Sequence, residues 1–343
     1  MKQKVKRYLT LFGVLFAVVL TACEHKDLCS NHRDHAHRYH INVIADYRYD
    51  WEEYFGYQDW KNSWPENYLP YDDLRPGDPS GLRVVNFNEA GDYNLHNIGA
   101  HGGVVNLYEG KNNLLFYNND TEYIVFSSFD NMATTRATTR VRTRASYTGN
   151  TYADEDEPTL TPPDMLYANY FEGYIAEKVV DPADVYVTLQ PLVFSYKIRY
   201  EFKAGLQYVS MARGALSGMA SSVLLVTGET SSDAATLLYD CEVTDFGARA
   251  IVNSFGIPGF PHPNYPTRES GKHALNLEIL MKNGKTITFE FDVTEQVKEQ
   301  PHGGVIVVDG IEITDEEGKQ GSGAFDVVVD DWGDYQEIPL PLM

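Results

Sequence analysis

The chain has 343 residues, and its 49 acidic side chains outnumber its 28 basic ones, which gives a formal charge of −21 at pH 7. A protein this acidic is not expected to bind the phosphate backbone of nucleic acids, and anionic lipid surfaces would repel it. Its length favours two domains rather than one.

The first 22 residues are typical of a secretory signal. Residues 1–8 are basic, and residues 9–20, "LTLFGVLFAVVL", are apolar or small but fewer than the roughly 18–20 that a membrane-spanning helix needs. The next motif, "LTAC" at 20–23, resembles the lipobox of bacterial lipoproteins, which implies cleavage before Cys23 and lipid attached to it. Each buried CH₂ of an acyl chain contributes about 0.8 kcal/mol, so lipid alone would hold the protein on the outer membrane.

Residues 23–37 are predicted to form a polar tether behind that lipid. Five of the chain's ten histidines lie between Cys23 and His40, and imidazole nitrogens suit zinc. The candidate metal ligands are His32, His35 and His37. A closed site also needs a fixed backbone and partners for its ligands, and no turn signal provides them here. The sequence therefore favours a solvated spacer over a metal site, and we expect no cofactor.

Two further cysteines remain if Cys23 carries lipid. Cys29 lies in the predicted tether and Cys241 lies in a strand-like run. They could pair in an oxidising periplasm, but their positions do not favour a bridge, and the question stays open at this level.

The sequence patterns in the body of the chain are typical of β-strands. Residues 39–49 alternate so that one face carries apolar and aromatic side chains, which predicts a half-buried strand. Similar runs follow at 103–108, 113–117, 122–128 and 184–202. Pro191 interrupts the last run, so we place an N-terminal β-sandwich at 38–190 and a C-terminal one at 191–343.

One hairpin can be predicted to its register. Residues 273–294 contain Asn283-Gly284, a strong turn signal. A two-residue loop would put the apolar sets of the two strands on opposite faces. A three-residue loop, 282–284, pairs Ile279 with Ile287 and directs both sets to one core. Because a slip of one residue reverses every side chain, we predict the second pairing, with a bulge at Gly284.

A segment of different composition lies at 131–163. It is rich in threonine, arginine and acids and nearly free of large aliphatic side chains, which predicts a mobile surface loop. Exposed loops are where proteases cut. The candidate sites for an arginine-specific protease are Arg136, Arg140, Arg142 and Arg144.

An aromatic cluster at 47–71 has ten aromatic residues in 25 positions, interleaved with carboxylates and amides. Rings that pack over the first domain would explain it. Alternatively, stacking on flat rings together with directed hydrogen bonds is how proteins bind sugars. The candidate glycan-binding residues are Trp51, Trp60 and Trp64.

Motifs that would indicate an enzyme are missing from the sequence. It has no G-x-S-x-G, P-loop, H-E-x-x-H, C-x-x-C or dinucleotide-binding glycine pattern. The acidic run "DEDE" at 154–157 lacks the alternation of a calcium loop and is interpreted as a solvated face. We therefore do not expect an enzyme.

Four short motifs resemble a Bacteroidetes lipoprotein family of uncharacterised function that is related to fimbrillins and fimbrial-anchor lipoproteins. They are "HKDLC" (25–29), "LLFYNNDTEYIVF" (114–126), "ALSGMA" (215–220) and "FEFDVTEQV" (289–297). The resemblance implies two tandem transthyretin-like β-sandwiches of Greek-key type on a lipid tether.

The same resemblance implies a role in the cell envelope, as a fimbrial anchor, an accessory subunit or an adhesin. Its partners would be the outer membrane and fimbrial subunits that add a strand. In fimbrillins, cleavage after an arginine frees a groove for such a strand. Here the arginines lie between later strands, which favours an anchor or accessory role. Surface exposure is slightly favoured over the periplasmic face, since "EHKD" at 24–27 is a weak version of an acidic export patch.

Overall fold

The structure is a computed structural model that describes residues 37–48, 76–127, 129, 131–154, 156–259, 271–319 and 336–338. Within these ranges no helix is long and apolar enough to cross a membrane. Residues Cys23, Cys29, His32, His35, Trp51, Trp60 and Trp64 lie outside them.

Strands make up most of the described chain. In chain order they are β1 Arg38–Tyr47, β2 Gly81–Asn88, β3 Tyr93–Gly99, β4 Gly102–Asn106, β5 Gly110–Asn118, β6 Ile124–Ser127, β7 Arg136–Thr139, β8 Val141–Thr143, β9 Thr159–Leu160, β10 Tyr167–Ala176, β11 Lys178–Val179, β12 Ala183–Pro191, β13 Phe194–Ala204, β14 Val209–Ala220, β15 Ser222–Leu224, β16 Ala234–Val243, β17 Gly247–Ser254, β18 Ala274–Met281, β19 Thr286–Asp292, β20 Gly304–Glu312 and β21 Gln336–Ile338. Two short α-helices, α1 Thr294–Lys298 and α2 Asp315–Lys319, and two 3₁₀ turns, Met132–Thr134 and Leu206–Tyr208, complete the described elements.

The first sheet has the strand order β11-β1-β12-β10-β5-β2-β3-β4, and β1 also pairs with β4, so the sheet curls back on itself. β1 shows the predicted alternation, because Ile41, Val43, Ala45 and Tyr47 are all buried. These side chains join Leu114 and Phe116 of β5 in one apolar cluster inside the curl.

The second sheet runs β19-β18-β14-β16-β17-β13-β20. Its inner face holds a large apolar cluster that includes Tyr196, Leu216, Leu237, Leu277 and Ile306. The chain passes from the first sheet to the second between Pro191 and Phe194. The predicted all-β class is therefore confirmed, with two sheets curled into barrel- or sandwich-like arrangements.

A small third sheet, β15-β7-β6, joins the two halves. β7 is its central strand, paired with β6 on one side and β15 on the other. Behind it lies a third apolar cluster, which combines Leu115 and Tyr117 of β5 with Val193, Val223 and Phe255 from later in the chain.

The hairpin of β18 and β19 has the predicted register. Ile279 pairs with Ile287 and Leu277 with Phe289. The Met281 N–H donates to the Lys285 carbonyl at 2.9 Å, which closes a three-residue loop. Gly284 adopts φ +80°, the left-handed conformation that the bulge requires. The three-residue loop and the single core that it serves are both confirmed.

The segment 131–163 differs from the predicted loop. β7, β8 and β9 lie within it, β9 pairs in parallel with β16, and β8 pairs with β9 and β21. The segment itself has little apolar surface, but other parts of the chain supply its partners. These contacts correct the prediction, which considered only what the segment could bury alone.

Candidate functional site

The candidate site is the outer face of the second sheet, where residues 144–160 lie across β14, β16 and β18. On β18 the side chains alternate, so that Leu275 and Leu277 enter the core while Asn276 and Glu278 point to the opposite face. Glu278 is buried although it ends in a carboxylate, because the segment covers it.

Arg144 anchors the start of the segment. Its side chain is only 2% exposed, its Nη1 donates to the Gly214 carbonyl at 3.1 Å, and its guanidinium lies 5.5 Å from the Tyr147 ring. Glu278 is shared by two arginines, with Arg213 Nη2 at 2.7 Å and Arg144 Nε at 4.0 Å. Arg213 also donates to the Ser146 hydroxyl at 2.8 Å. A buried carboxylate thus holds the segment to two strands at once.

The other candidate arginines also lie in or beside paired strands. Arg136 is exposed but belongs to the central strand of the third sheet. The Arg140 backbone N–H donates to the Tyr123 carbonyl at 3.2 Å, and Arg142 Nη1 donates to the Leu238 carbonyl at 3.2 Å. Cleavage after any of them stays a prediction, and a protease would first have to unpair the local backbone.

Asn150 continues the attachment along β18. Its amide donates to the Leu275 carbonyl at 3.0 Å and to Asn276 Oδ1 at 2.6 Å, while the Asn276 amide donates back to the Gly149 carbonyl at 3.2 Å. The Thr151 N–H donates to Glu290 Oε2 on β19 at 3.1 Å. These pairs match donors with acceptors one to one, so the segment has a fixed register on the sheet.

A cavity of about 680 Å³ lies between the segment and the sheet. Hydroxyl, amide and carboxylate groups dominate its lining. The lining residues that carry them are Tyr147, Thr148, Asn150, Thr151, Asp154, Asp156, Glu157, Thr159, Thr236 and Glu290. The interpretation of 154–157 as a solvated face holds for Asp154 and Asp156, which are exposed, but not for Glu157.

Glu157 closes the inner end of this cavity. Its Oε2 accepts from the Gly218 backbone N–H at 3.0 Å and from the Thr236 hydroxyl at 2.8 Å. Burial raises the pKa of the Glu157 carboxyl, and these two hydrogen bonds only partly oppose that rise. Ser217 and Tyr147 extend the network, since their hydroxyls lie 3.2 Å apart and Ser217 is 3.0 Å from Thr236 Oγ1.

The chemistry of this network is that of attachment. Its hydroxyls and Glu157 Oε2 bond to one another or to backbone groups, while Glu157 Oε1 is buried without a hydrogen-bond partner. Across the described residues, no group of three or more His, Cys, Asp and Glu side chains is arranged to hold a metal ion. His37 is exposed at the start of the described chain, while the other two candidate ligands lie outside it. Zinc binding stays an untested alternative to the predicted spacer, and comparing Zn²⁺ affinity before and after alanine at all three histidines would test it.

Cys241 lies in β16 and forms no disulfide within the described part of the chain. Burial raises the pKa of its thiol, so it is an unreactive group in the fold. Whether it pairs with Cys29, which lies outside the described residues, stays an open question.

Comparison with known proteins finds one family model that matches part of the chain, and a shared fold. Residues 72–240 match the family model described as a domain of unknown function, DUF5119. No curated protein matches the chain. A solved structure of a proposed adhesin from Bacteroides ovatus is 19% identical, with a TM-score of 0.57 over 83% of this chain and 96% of that one.

Two further solved structures are more distant. A second proposed adhesin from Bacteroides ovatus is 9% identical, with a TM-score of 0.48 over 83% of this chain and 92% of that one. The fimbrial anchor protein Mfa2 from Porphyromonas gingivalis is 13% identical, with a TM-score of 0.40 over 79% and 90%. The predicted resemblance to a family of uncharacterised function is confirmed by the family-model match, and the first of the three solved structures shows the shared fold.

Proposed function

From the DUF5119 match over residues 72–240 and the fold shared with a proposed adhesin, we propose that this protein is an outer-membrane lipoprotein with a structural role in the cell envelope. It acts there as an anchor or accessory subunit of a fimbria-like assembly, or as an adhesin. The observation that carries the proposal is the shared fold, which extends over 83% of the chain.

The anchor in this proposal is lipid on Cys23. The "LTAC" motif supports it, and so does the position of the first strand, which begins at Arg38. The 23–37 tether between them reaches at most roughly 50 Å when fully extended. That length lets the folded body stand clear of the membrane while the lipid holds it, with the cell surface favoured over the periplasmic face.

An anchor or accessory role is favoured over a polymerising subunit. A subunit activated by cleavage after an arginine must give up a strand. Here the four candidate arginines lie in or beside strands that pair with both early and late parts of the chain. Loss of that segment would uncover the buried Glu278 and the outer face of β18.

The test uses intact cells of the source bacterium. An antibody labels the protein on the surface, gentle shear releases appendages, and the released material is run unboiled on a denaturing gel. Surface label with the protein in a high-mass, heat-sensitive ladder supports a fimbria-like assembly. Surface label with a monomer band alone supports an adhesin. Label that appears only after the outer membrane is breached contradicts the proposed surface location.

A second candidate function is glycan binding by a lipid-tethered protein, favoured by the density of aromatic residues at 47–71. Alanine at Trp51, Trp60 and Trp64 should then abolish binding on a glycan array. A silent array, or binding unchanged by the three substitutions, would remove this candidate.

A further inference from the structure

Among the described residues, β20 is the last strand of the second sheet, with one edge paired and the other facing away from the sheet. On the paired side β20 runs parallel to β13, with Val305 opposite Lys197 and Val307 opposite Arg199. Strand geometry turns the N–H and C=O groups of alternate residues to the other edge. In an open sheet that edge would be free to accept another strand.

Two glutamine side chains occupy this edge. The Val307 N–H donates to Gln296 Oε1 at 2.9 Å, and Gln296 Nε2 donates to the Val307 carbonyl at 2.8 Å. The Val305 N–H donates to Gln300 Oε1 at 2.8 Å, and Gln300 Nε2 donates to the Val305 carbonyl at 2.9 Å. Each amide therefore supplies one acceptor and one donor to a single residue, as a neighbouring strand would.

The spacing of the two glutamines matches the spacing of the strand. Four residues along a helical segment advance about 6 Å, and two residues along a strand advance about 6.6 Å. Gln296 lies in α1 and Gln300 follows its end, with the Gln300 N–H bonded to the Val297 carbonyl at 3.0 Å. The buried Val297 fixes this segment against the core, so both amides meet β20 in register.

The close approach of Gln300 also constrains β20 itself. A Cβ at Gly304 would clash with Gln300 Oε1, so a larger residue would push the amide off the edge. Gln300 is only 1% exposed and makes a further bond to the Gln296 carbonyl at 3.1 Å. Packing thus holds the amides in place.

We propose that Gln296 and Gln300 block β20 against antiparallel pairing with β20 of a second copy of this chain. The sequence of β20 indicates which strand would pair with this edge. β20 begins "GVIVV", a short apolar run without charge, which is the kind of edge that pairs with its own copy. A two-fold axis would bring the two identical edges together, and each would offer the outward groups of Val305 and Val307 to the other.

This inference does not depend on the proposed function. It states that the second sheet is closed at β20 by side chains of its own chain, and that a strand from a copy competes for the same four hydrogen-bonding groups. The protein therefore stays monomeric at this edge as long as both glutamines are present.

The test compares the full chain, purified in detergent, with its Gln296→Ala/Gln300→Ala variant. The protein mass is measured by light scattering over a wide range of concentration, with the detergent contribution subtracted. The unchanged chain should keep its mass, and the variant should show up to a twofold rise as concentration increases. Gln207→Ala, at an exposed glutamine, is the matched control and should behave as the unchanged chain.

A second variant separates an open edge from a weakened fold. Gln296→Glu/Gln300→Glu loses the same two donors but puts two negative charges on the edge, which should repel a second copy. It should stay monomeric. A folded alanine variant that remains monomeric at every concentration would overturn the proposal, as would a glutamate variant that associates as strongly as the alanine variant. If the double alanine variant does not fold, Gln296→Ala alone takes its place, with the same two outcomes.

Discussion

The two faces of β18 are covered in different ways. On the inner face Leu275, Leu277 and Ile279 pack into an apolar cluster together with the half-buried side chains of β19. On the outer face Asn276 and Glu278 are covered by the segment 144–160 through hydrogen bonds and ion pairs. One strand thus takes part in both a core and a polar attachment site.

The two faces differ in how the loss of one side chain affects the contacts that bury them. Apolar contacts are non-directional and many neighbours share the burial, so their loss costs in proportion to the volume removed. Each outer contact joins one donor to one acceptor, and a missing partner leaves a buried charge or dipole unsatisfied. Substitutions on the two faces of β18 should therefore differ in what they disturb.

The largest effect is expected at Glu278. Glu278→Ala leaves the guanidinium groups of Arg144 and Arg213 buried without their carboxylate, which should cost about 3–5 kcal/mol in the free energy of unfolding. Denaturant unfolding measures it. Glu290→Ala, which removes the more exposed carboxylate bonded to Thr151, is the matched control and should cost far less. Equal losses for the two variants would contradict the central place given to Glu278.

The adjacent residue tests the inner face. Leu277→Ala creates a cavity in the main cluster and should lower the free energy of unfolding by about 2–5 kcal/mol. Leu95→Ala, at a leucine that is 50% exposed, should change it by less than about 0.5 kcal/mol. Unlike Glu278→Ala, the Leu277 variant should leave the segment 144–160 protected from hydrogen exchange at moderate denaturant concentration. Early exchange of that segment would mean that the two faces are not separate.

A smaller effect is expected at the turn of the hairpin. Gly284→Ala meets no atom within 4 Å, so its cost is that of the left-handed backbone alone, about 1 kcal/mol. Thermal unfolding measures it. Gly271→Ala is the control, since its backbone is not left-handed and its nearest contact of 3.7 Å is ordinary. No loss at Gly284 would argue against the bulge.

The smallest effect concerns Glu157 and pH. Burial raises the pKa of this carboxyl in the folded state, so its protonated form is favoured there and the ionised form carries a penalty as pH rises through that pKa. Glu157→Gln removes the ionisation. The stability of the variant relative to the unchanged protein should therefore increase as pH rises above the ordinary glutamate pKa of about 4.3. Asp156→Asn, at an exposed carboxylate, should show no such trend. If the stability of Glu157→Gln changed with pH in parallel with that of the unchanged protein, the raised pKa of Glu157 would be refuted.

The hairpin could be predicted from sequence because its information is local. Asn283-Gly284 fixes the turn, and the apolar alternation on both sides fixes which register has a common core. The segment 144–160 could not be predicted in that way. Arg144 needs Glu278, and Asn150 needs Asn276, more than a hundred residues further along the chain. Composition alone gives no sign that these partners will meet.

The pairing of Gln296 and Gln300 with the edge of β20 is intermediate between these two cases in how far the sequence predicts it. Gln296 and Gln300 are four residues apart, so their common face can be read from the sequence. Their target can be identified only once β20 is known to be the last strand of its sheet. A glutamine pair at this spacing beside an apolar strand is the signal that could have found it.

The most direct test of the account is limited proteolysis of the native protein with an arginine-specific protease, with the cut sites identified by mass spectrometry. If the segment 131–163 is an integral part of both halves of the fold, no cleavage should occur after Arg136, Arg140, Arg142 or Arg144 while most of the protein remains folded. Rapid cleavage after Arg144, with the rest of the chain still folded, would show that the segment is a removable loop. That result would contradict both the polar attachment described here and the preference for an anchor or accessory role.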